Sequence, residues 1–443
     1  FEGIGVQFQM IEDTLLVVQP VSNGPSEKIG ILAGDRIIAV NDSAIAGVKM
    51  STEEIMKRLR GPKGSKVNLK IVRRGVQDPL VFTVKRDKIP ILSLDASYMI
   101  QPKTGYIRIN RFGATTAEEF KKAMKELQKQ GMKDMILDLQ GNGGGYLNAA
   151  IDLANEFLSQ KELIVYTEGR TAKRSDFYAK GNGEFRNGRL IVLVDEYTAS
   201  ASEIVSGAVQ DWDRGIIVGR RSFGKGLVQR PIDLPDGSMI RLTIARYYTP
   251  AGRCIQKPYD SSTDYNKDLI ERFNHGELMN ADSIHFPDSL KVQTKKLGRT
   301  VYGGGGIMPD YFVPIDTTLY TDYHRNLVAK GAVIKFTMKF IEGHRKELAN
   351  KYKKFESFNE KFIIDDDMLA TLREMGEKEG VKFNEEQYQK SLPLIKTQLK
   401  ALIARDLWDM NEYFRVMNTT NESVQKALEI LNSEEYQKKL RAN

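Results

Sequence analysis

The sequence is poor in the residue types on which most hydrolytic chemistry depends. Only four of its 443 residues are histidine, and all four lie beyond position 270 (His275, His285, His324 and His344). The chain has no H-E-x-x-H pair, no calcium loop of the EF-hand type and no G-x-S-x-G elbow. These absences argue against a histidine-based serine triad, a zinc peptidase and a calcium site, and we expect neither a metal nor a cofactor. A hydrolase built from this chain needs another base.

Cysteine and long apolar runs are also scarce. The single cysteine, Cys254, cannot form an intramolecular disulfide, and it leaves the redox compartment open. An apolar run of about 18 residues, long enough to span a bilayer, does not occur, so we expect no integral membrane segment. The chain opens on Phe1-Glu2-Gly3 without a basic-then-apolar leader, which leaves its compartment undetermined.

The composition is that of a globular protein with several domains. A length of 443 residues favours about two to four domains, and 41% hydrophobic and 28% charged residues indicate neither disorder nor a membrane protein. The net charge of +8 is modest, and the lysines are spread widely, with comparable numbers of glutamate beside them after residue 320. A nucleic-acid-binding protein gathers basic and aromatic residues on one face. We therefore expect no nucleic-acid partner.

Three regions differ in pattern, and together they predict a multidomain protein with α+β and α/β parts. Residues 1–88 contain short strand-like runs between turn signals, with one helix that a capping box starts at Ser51. This region is predicted to be a small β-rich domain. Strands and helices alternate in residues 89–321, which favours an α/β layered core with parallel strands. Within it, a polar stretch at about 257–302 has no clear period and is interpreted as an insertion or surface loop.

Residues 322–443 are predicted to be helical. Apolar residues recur there at three- and four-residue steps, as in Leu399, Leu402 and Ile403. The predicted helices are 326–352, 366–379, 384–417 with an interruption near Pro393, and 422–431. The pattern suits packing on the core or on a second subunit, and it does not distinguish homodimerisation from capping of a groove or binding of an adaptor protein.

The first candidate for chemistry is a serine at a strand-to-helix turn. The apolar run 190–194 leads through a short turn into small residues that open a helix, and Ser200 lies in that turn. The first N–H groups of a helix have no internal partners, so with the helix dipole they can stabilise an oxyanion. The alternative is that Ser200 or Ser202 only caps the helix.

The second candidate is Lys225, which stands between two glycines. A lysine acts as a general base only when it is neutral, and this requires a pKa well below the usual value of about 10.4. Burial in an apolar site lowers the pKa of a lysine, and flanking glycines let the backbone approach closely. Gln229, four residues further on, is placed to hydrogen-bond the amine and orient it. The alternative is a surface lysine on a turn.

The third candidate is the glycine run 138–145, DLQGNGGG, which follows a predicted strand and precedes a predicted helix. Its amides can form an anion-binding nest. A phosphate cradle and a plain flexible turn are the competing interpretations.

The N-terminal region resembles a PDZ domain. The residues Gly3-Ile4-Gly5-Val6 before a strand resemble the carboxylate-binding loop of such domains, and the stretch 32–41, LAGDRIIAVN, resembles their central part. PDZ domains bind an extended chain end by strand addition, and backbone amides capture its carboxylate.

The three candidate segments, in this order after a PDZ-like domain, resemble the C-terminal processing (tail-specific) serine peptidases. That family typically shows DLRxNPGG, then SASASEI, then FGKGxVQ; this chain has DLQGNGGG at 138–145, TASASEI at 198–204 and FGKGLVQ at 223–229. The stretches YYTPAGR at 247–253 and GIMPD at 306–310 also resemble the family. Two positions depart from the family pattern: Gln140 replaces an arginine and Gly143 replaces a proline, which alters the charge and rigidity of the nest.

The resemblance implies a role for each matching residue and an architecture for the core. Ser200 matches the nucleophile, Lys225 the general base and Gln229 the residue that orients the lysine. Ala201 and Gly144 or Gly145 match the backbone donors of the oxyanion hole. Asp211 stands where some members have a supporting aspartate, which is as often structural as catalytic. The implied core is a crotonase-like layered sheet that works without a metal or cofactor.

The implied function is that of a serine endopeptidase that cleaves proteins near unstructured C-terminal tails. The PDZ domain would bind such a tail and thereby gate the peptidase activity. Its partners would be protein or peptide substrates with such tails, and its location would be extracytoplasmic, in the periplasm or cell envelope. The alternative is a catalytically inactive PDZ adaptor or chaperone that binds protein C-termini.

A nucleotide-binding interpretation is disfavoured. The stretch 219–226, GRRSFGKG, nearly spells a P-loop, but Gly226 stands where that motif needs serine or threonine. The residues that follow read as extended chain rather than as the helix that a P-loop requires.

Overall fold

The computed structural model describes residues 2–11, 13–21, 23–258 and 267–441. The chain forms two compact units, each assembled from two separate segments. The first unit joins Phe1–Ile91 with Thr317–Met417, and the second joins Leu92–Asp316 with Asn418–Asn443. No helix among the described residues is long and apolar enough to cross a membrane.

The N-terminal part of the first unit is the predicted β-rich domain. Five main strands pair antiparallel in the order β2-β3-β4-β6-β7, so that β2 lies at an edge. Helix α2 begins as expected, because the Ser51 side chain accepts the Glu54 N–H and Ile55 and Leu59 are buried. The elements are β1 (Glu2–Gly3), β2 (Val6–Ile11), β3 (Thr14–Pro20), α1 (Pro25–Lys28), β4 (Arg36–Val40), β5 (Ser43–Ala44), α2 (Thr52–Leu59), β6 (Lys66–Val72), β7 (Leu80–Lys85) and β8 (Asp87–Lys88).

The second unit is the predicted α/β layered core. Its main sheet has the order β20-β15-β14-β11-β10-β9, and all neighbours are parallel except β9 and β10. A second, antiparallel sheet has the order β13-β12-β17-β16. The elements are β9 (Leu94–Gln101), β10 (Thr104–Ile109), α3 (Thr116–Lys129), β11 (Asp134–Asp138), α4 (Leu147–Asn155), β12 (Leu163–Glu168), β13 (Ser175–Tyr178), β14 (Leu190–Val194), α5 (Ala201–Asp211), β15 (Ile216–Gly219), β16 (Leu227–Asp233), β17 (Met239–Tyr248), α6 (Asp268–Asn274), β18 (Lys291–Gln293), β19 (Thr300–Tyr302) and β20 (Tyr311–Phe312).

Burial explains why the central strands are continuous apolar runs. Every residue of β11 and β14 is buried, and helices α3, α4 and α5 contribute apolar side chains to the same core. Parallel strands covered on both faces have this pattern. The described parts of the predicted insertion, residues 257–258 and 267–302, contain α6 and the short antiparallel pair of β18 and β19; residues 259–266 lie outside the described residues.

The C-terminal helices divide between the two units, which differs from the single predicted region 322–443. Helices up to Met417 belong to the first unit, whereas α13 contacts β11, β14 and β15 of the second. The reason is packing, because α13 buries Val424, Ala427 and Ile430 and the Tyr436 hydroxyl accepts the Leu190 N–H. The helices are α7 (Asp322–Ala329), α8 (Ala332–Lys351), α9 (Phe355–Lys361), α10 (Asp366–Lys378), α11 (Glu385–Leu407), α12 (Met410–Met417), α13 (Glu422–Asn432) and α14 (Glu435–Lys439).

Two predicted helix boundaries were wrong. The predicted helix 326–352 is broken at Gly331, whose φ of 76° is left-handed and ends α7 before α8 starts. The predicted interruption at Pro393 is absent, because α11 runs through that proline and buries Ile395 and Leu399 beyond it. The chain instead leaves the helix at Trp408, where φ is −126° and ψ is −100°.

Candidate active site

Ser200 occupies a strained turn at the start of α5. Its φ of 57° and ψ of −114° lie outside the regions that side-chain-bearing residues usually adopt. Such strain persists only where the surroundings enforce it, and it concentrates at functional sites. Here the backbone is held on both sides of the Ala199–Ser200 peptide, because the Ala199 N–H donates to the Asn142 carbonyl and the Ser200 N–H to Glu203 Oε2.

The two serines of this segment have different surroundings. The Ser202 hydroxyl is buried and donates to the Asn142 carbonyl over 3.0 Å. The Ser200 side chain is half-buried and forms a capping box with Glu203, in which its oxygen faces the Glu203 N–H; within the described residues its hydroxyl donates to no acceptor. The Ser202 hydroxyl proton is thus engaged by Asn142, whereas the Ser200 hydroxyl proton has no acceptor among the described residues.

The glycine run is bound to the serine turn through Asn142. Its carbonyl accepts the Ala199 N–H over 2.9 Å and the hydroxyl of Ser202. This brings Gly144 against the turn so closely that a Cβ built on it would lie 2.7 Å from the Ser200 Cβ and 2.9 Å from the Ala201 nitrogen. Because φ of Gly144 is also +94°, only glycine fits there.

The predicted oxyanion donors are in different states. The Gly144 N–H already donates to Asn142 Oδ1 over 2.8 Å, so it is engaged in this structure. Ala201 is the first residue of α5, and in the part of the chain that the structure describes nothing accepts its N–H or that of Gly145. The geometry therefore leaves Ala201 and Gly145 as the available amides of the predicted set.

Lys225 lies near Ser200 because both belong to segments gathered around one carboxylate, that of Glu203. Glu203 Oε2 accepts the backbone N–H of Ser200 and that of Lys225, each over 2.8 Å. Glu203 is fully buried, and burial raises its pKa above the usual value, while its hydrogen bonds to Ser222, Gly224, Lys225 and Ser200 lower it. Within the described residues there is no hydrogen bond between the side chains of Ser200 and Lys225.

Lys225 and Gln229 line one cavity of about 1120 Å³. Its other walls come from the end of β12 and from β17, and Leu227 and Gln256 also contribute. Gln229 is exposed on β16, and among the described contacts none joins it to Lys225. This volume is slightly above the usual size of ligand pockets, about 300–1,000 Å³, and Ser200 is not among the residues that line the cavity.

Asp211 lies far from Ser200. It ends α5, roughly 16 Å from Ser200 at 1.5 Å per helical residue. Its carboxylate is buried against Arg253, with a 2.5 Å contact, and accepts the Ala251 N–H. This is a structural ion pair that anchors the 251–253 turn.

Arg108 provides a guanidinium beside Gln140, where the family pattern has an arginine. Arg108 Nη1 lies 2.5 Å from Asp138 Oδ2, and its Nη2 donates to the Gln140 carbonyl over 2.8 Å. The Tyr106 hydroxyl donates to the same Asp138 oxygen. These contacts fix the turn from which the glycine run starts.

Residues 3–6, the predicted carboxylate-binding loop, are tied to the chain around residues 21–26. The Ile4 carbonyl accepts the Ser26 N–H over 3.0 Å, and the Gly5 carbonyl accepts the Val21 N–H over 2.9 Å. In the described segments no internal acceptor contacts the N–H of Ile4 or Gly5, although both residues are buried. These two amides lie next to the edge strand β2, where PDZ domains add a peptide strand.

Sequence reasoning missed Glu203 and Arg108. A signal for Glu203 was present, because a glutamate three residues after a serine at a helix start is capping-box spacing. Nothing local marks Arg108, whose partners lie 30 and 32 residues further along the chain.

Three family models match the chain. They describe a PDZ domain over residues 3–88, peptidase family S41 over residues 103–263, and a family of unknown function (DUF8443) over residues 323–409. A PDZ domain followed by an S41 peptidase core defines the class of protein.

Three individual proteins show what the chain is similar to. The carboxyl-terminal-processing protease of Synechocystis sp. is 39% identical over 262 residues, which are 58% of this chain and 60% of that protein. A probable CtpA-like serine protease of Staphylococcus aureus is 31% identical over 381 residues, 84% of this chain and 72% of that protein. The solved photosystem II D1 C-terminal processing protease is 33% identical with a TM-score of 0.34, over 57% of this chain and 69% of that one.

The chain belongs to the carboxyl-terminal processing proteases of peptidase family S41. It spans 60% of the length of the Synechocystis relative and 53% of the CtpB protease of Bacillus subtilis.

Proposed function

We propose that this protein is a serine endopeptidase of the C-terminal processing type, with Ser200 as nucleophile and Lys225 as general base. The observation that carries the proposal is the common attachment of both residues to Glu203, which holds their amides within two hydrogen-bond lengths of each other. Ser200 also has the strained backbone expected of a nucleophile. Gln229 shares the cavity of Lys225 and is proposed to orient its amine.

The proposed reaction runs through an acyl-enzyme. Neutral Lys225 takes the proton of the Ser200 hydroxyl as Oγ bonds to the scissile carbonyl carbon, and the Ala201 and Gly145 amides stabilise the resulting oxyanion. Collapse breaks the C–N bond, and the Lys225 ammonium returns the proton to the leaving amine. Water, deprotonated by the same lysine, then attacks the ester carbonyl; the bond to Ser200 Oγ breaks, and the Lys225 ammonium returns the proton to that oxygen.

Substrate selection is proposed to begin at the first unit. The free amides of Ile4 and Gly5 suit a terminal carboxylate, and the edge strand β2 suits an extended tail. The substrates would be proteins or peptides with unstructured C-termini, and binding of the tail would gate cleavage.

The setting is proposed from the resemblance alone. The protein would act outside the cytoplasm, in the periplasm or cell envelope. Its C-terminal helices would serve a homodimer or an adaptor protein, and sedimentation of the purified chain distinguishes these two uses.

The test is cleavage of an unfolded reporter with a variable C-terminus, with products read by mass. Ser200→Ala and Lys225→Ala should each abolish cleavage and leave tail binding intact. Ser202→Ala is the matched control: it removes one buried hydrogen bond, costs about 1 kcal/mol of stability, and should keep activity. Full activity of Lys225→Ala would refute the assigned base.

A further inference from the structure

Helix α6, in the stretch predicted as an insertion, holds the loop that carries Lys225. Its Arg272 is buried and donates Nη2 to the Arg221 carbonyl over 2.7 Å and Nη1 to the Ser222 carbonyl over 3.2 Å. Burial, and after it the charge of Arg221, lowers the pKa of Arg272 to about 10, so the guanidinium stays charged at neutral pH. A charged side chain is placed at this depth only when its partners offset the cost of desolvation.

A second attachment starts at Lys257, the first residue of the predicted insertion. Its backbone N–H donates to the Gly224 carbonyl over 2.9 Å. Its ammonium lies 4.0 Å from the centre of the Phe223 ring and 2.8 Å from Asp268 Oδ2 at the start of α6. The same helix therefore reaches the loop through Asp268 as well as through Arg272.

Glu277 completes the arrangement by pairing with two arginines. It contacts Arg221 Nη2 and lies 3.3 Å from Arg272 Nε. Each of the four residues before Lys225 is thus held by α6, by Glu277 or by Lys257. The opposite side of the loop is held by Glu203, which accepts the Gly224 and Lys225 amides.

We infer that residues 268–277 act as a clamp on the Lys225 loop, and that Arg272 and Asp268 are positioning residues for the general base. The inference rests on the proposed function. Its physical reason is the short reach of proton transfer, since a base must come within about 2.6–3.2 Å of the hydroxyl it deprotonates. A displacement of about 1 Å can reduce the rate about 100-fold.

Arg272→Lys tests the clamp, because lysine keeps the positive charge but has one donor nitrogen, whereas the guanidinium uses two nitrogens to reach two carbonyls. Arg214 offers a matched control: it is half-buried, its pKa is also lowered by burial, and it donates to the carbonyls of Phe157, Phe185 and Gly188 away from the loop. At equal folded fraction, Arg272→Lys should lower kcat by about 10-fold or more with little change in KM. Arg214→Lys should lower the melting temperature and leave kcat unchanged. Equal kcat values in the two variants would overturn the clamp.

Asp268→Asn provides a second, milder variant. It removes the charge that holds the Lys257 ammonium and leaves Arg272 in place, so it decides the matter if Arg272→Lys does not fold. We expect a several-fold lower kcat with an unchanged melting temperature, and a wild-type kcat would count against the clamp. Failure of the clamp is distinct from failure of the peptidase proposal. If only the clamp fails, the wild type still cleaves the reporter and Ser200→Ala does not. If the peptidase proposal fails, the wild type and Ser200→Ala give the same products.

Discussion

Ser200 and Lys225 donate their backbone N–H groups to the same oxygen atom, Oε2 of Glu203. The other oxygen of that carboxylate accepts the Ser222 hydroxyl over 2.5 Å and the Gly224 N–H over 2.7 Å. Since Glu203 is fully buried, no water replaces a lost partner. One side chain therefore sets the spacing between the segments of the proposed nucleophile and base.

Replacing this carboxylate should separate the two segments. Glu203→Gln places an NH₂ group where a carboxylate oxygen accepted hydrogen bonds from the surrounding N–H and O–H groups. We expect the free energy of unfolding to fall by about 3 kcal/mol, because hydrogen bonds to a buried charge are lost. We also expect kcat to fall about 100-fold or more, since the segments of the proposed nucleophile and base are no longer held at a fixed spacing. Urea unfolding and cleavage of the reporter measure the two effects.

Glu156→Gln is the control for that variant. Glu156 is equally buried, accepts the Glu184 N–H over 3.0 Å and pairs with Lys121, but it lies at the far end of α4 from the glycine run. It should lose stability and keep kcat where the protein is folded. A similar fall in kcat for both variants would show that buried carboxylates act here only through stability.

The close approach of Gly144 to the serine turn gives a second prediction. Gly144→Ala requires a left-handed φ of +94° and places Cβ 2.7 Å from the Ala199 carbonyl oxygen, so the turn must move. Activity should be lost. Gly143→Ala is the matched control, because a Cβ there meets nothing within 4 Å, and it should stay active. Reporter cleavage distinguishes them, and an active Gly144→Ala protein would mean that the glycine run lies apart from the reacting groups.

A feature of the candidate site could be predicted from the sequence where neighbouring residues alone determine it. The strand-to-helix turn at Ser200, the glycine-flanked Lys225 and the cap at Ser51 all follow from neighbouring residues. Glu203 was visible as capping-box spacing, but its role depends on Ser222 and Gly224, about twenty residues later. No local pattern brings those residues together.

The helical boundaries were less predictable because tertiary packing competes with local preference. Pro393 lacks an N–H and disfavours a helix interior, yet α11 continues through it, since the buried face beyond the proline offsets the loss. Likewise, the amphipathic pattern of α13 shows which face is apolar and cannot show that its partner is the core sheet.

Arg108 gives a third prediction, about stability. Asp138 is fully buried, so Arg108→Met leaves an uncompensated charge and should cost about 3–5 kcal/mol in urea unfolding. Lys129→Met, which breaks an exposed pair with Glu126, should cost less than about 1 kcal/mol. If the two variants unfold alike, the guanidinium does not support the glycine run.

Carboxylate capture by the first unit gives a fourth prediction. A peptide with a free C-terminus should bind the Ser200→Ala protein more tightly than the same peptide with an amidated C-terminus, because the Ile4 and Gly5 amides need an anionic acceptor. Fluorescence polarisation measures both, and a difference of about 10-fold corresponds to one charge-assisted contact. Gly5→Val should remove the difference, since φ at that position is +76° and a Cβ would lie 3.2 Å from Ile89 and Pro25. If the Ser200→Ala protein with Gly5 intact binds the two peptides with equal affinity, the Ile4 and Gly5 amides do not recognise the tail.

Glu412, in helix α12 of the first unit, gives a prediction about pH. Partial burial and, after it, the neighbouring Asp409 raise its pKa to about 7, while Arg415 lowers it. The folded state therefore keeps a proton that the unfolded chain releases near the ordinary carboxyl pKa of 4.5. Stability from this group is present at pH 4.5 and is lost as the pH rises toward 7.

Glu412→Gln removes that dependence. The variant should melt at a higher temperature than the wild type at pH 8 and show a smaller advantage at pH 5. Because the side chain is about half exposed, solvent screening keeps the gain to about 1 kcal/mol or less. Glu360→Gln, at an exposed position of α9, should shift neither melting curve. A gain for Glu412→Gln that is the same at both pH values would mean that packing of the amide, and not loss of the carboxylate, stabilises the variant.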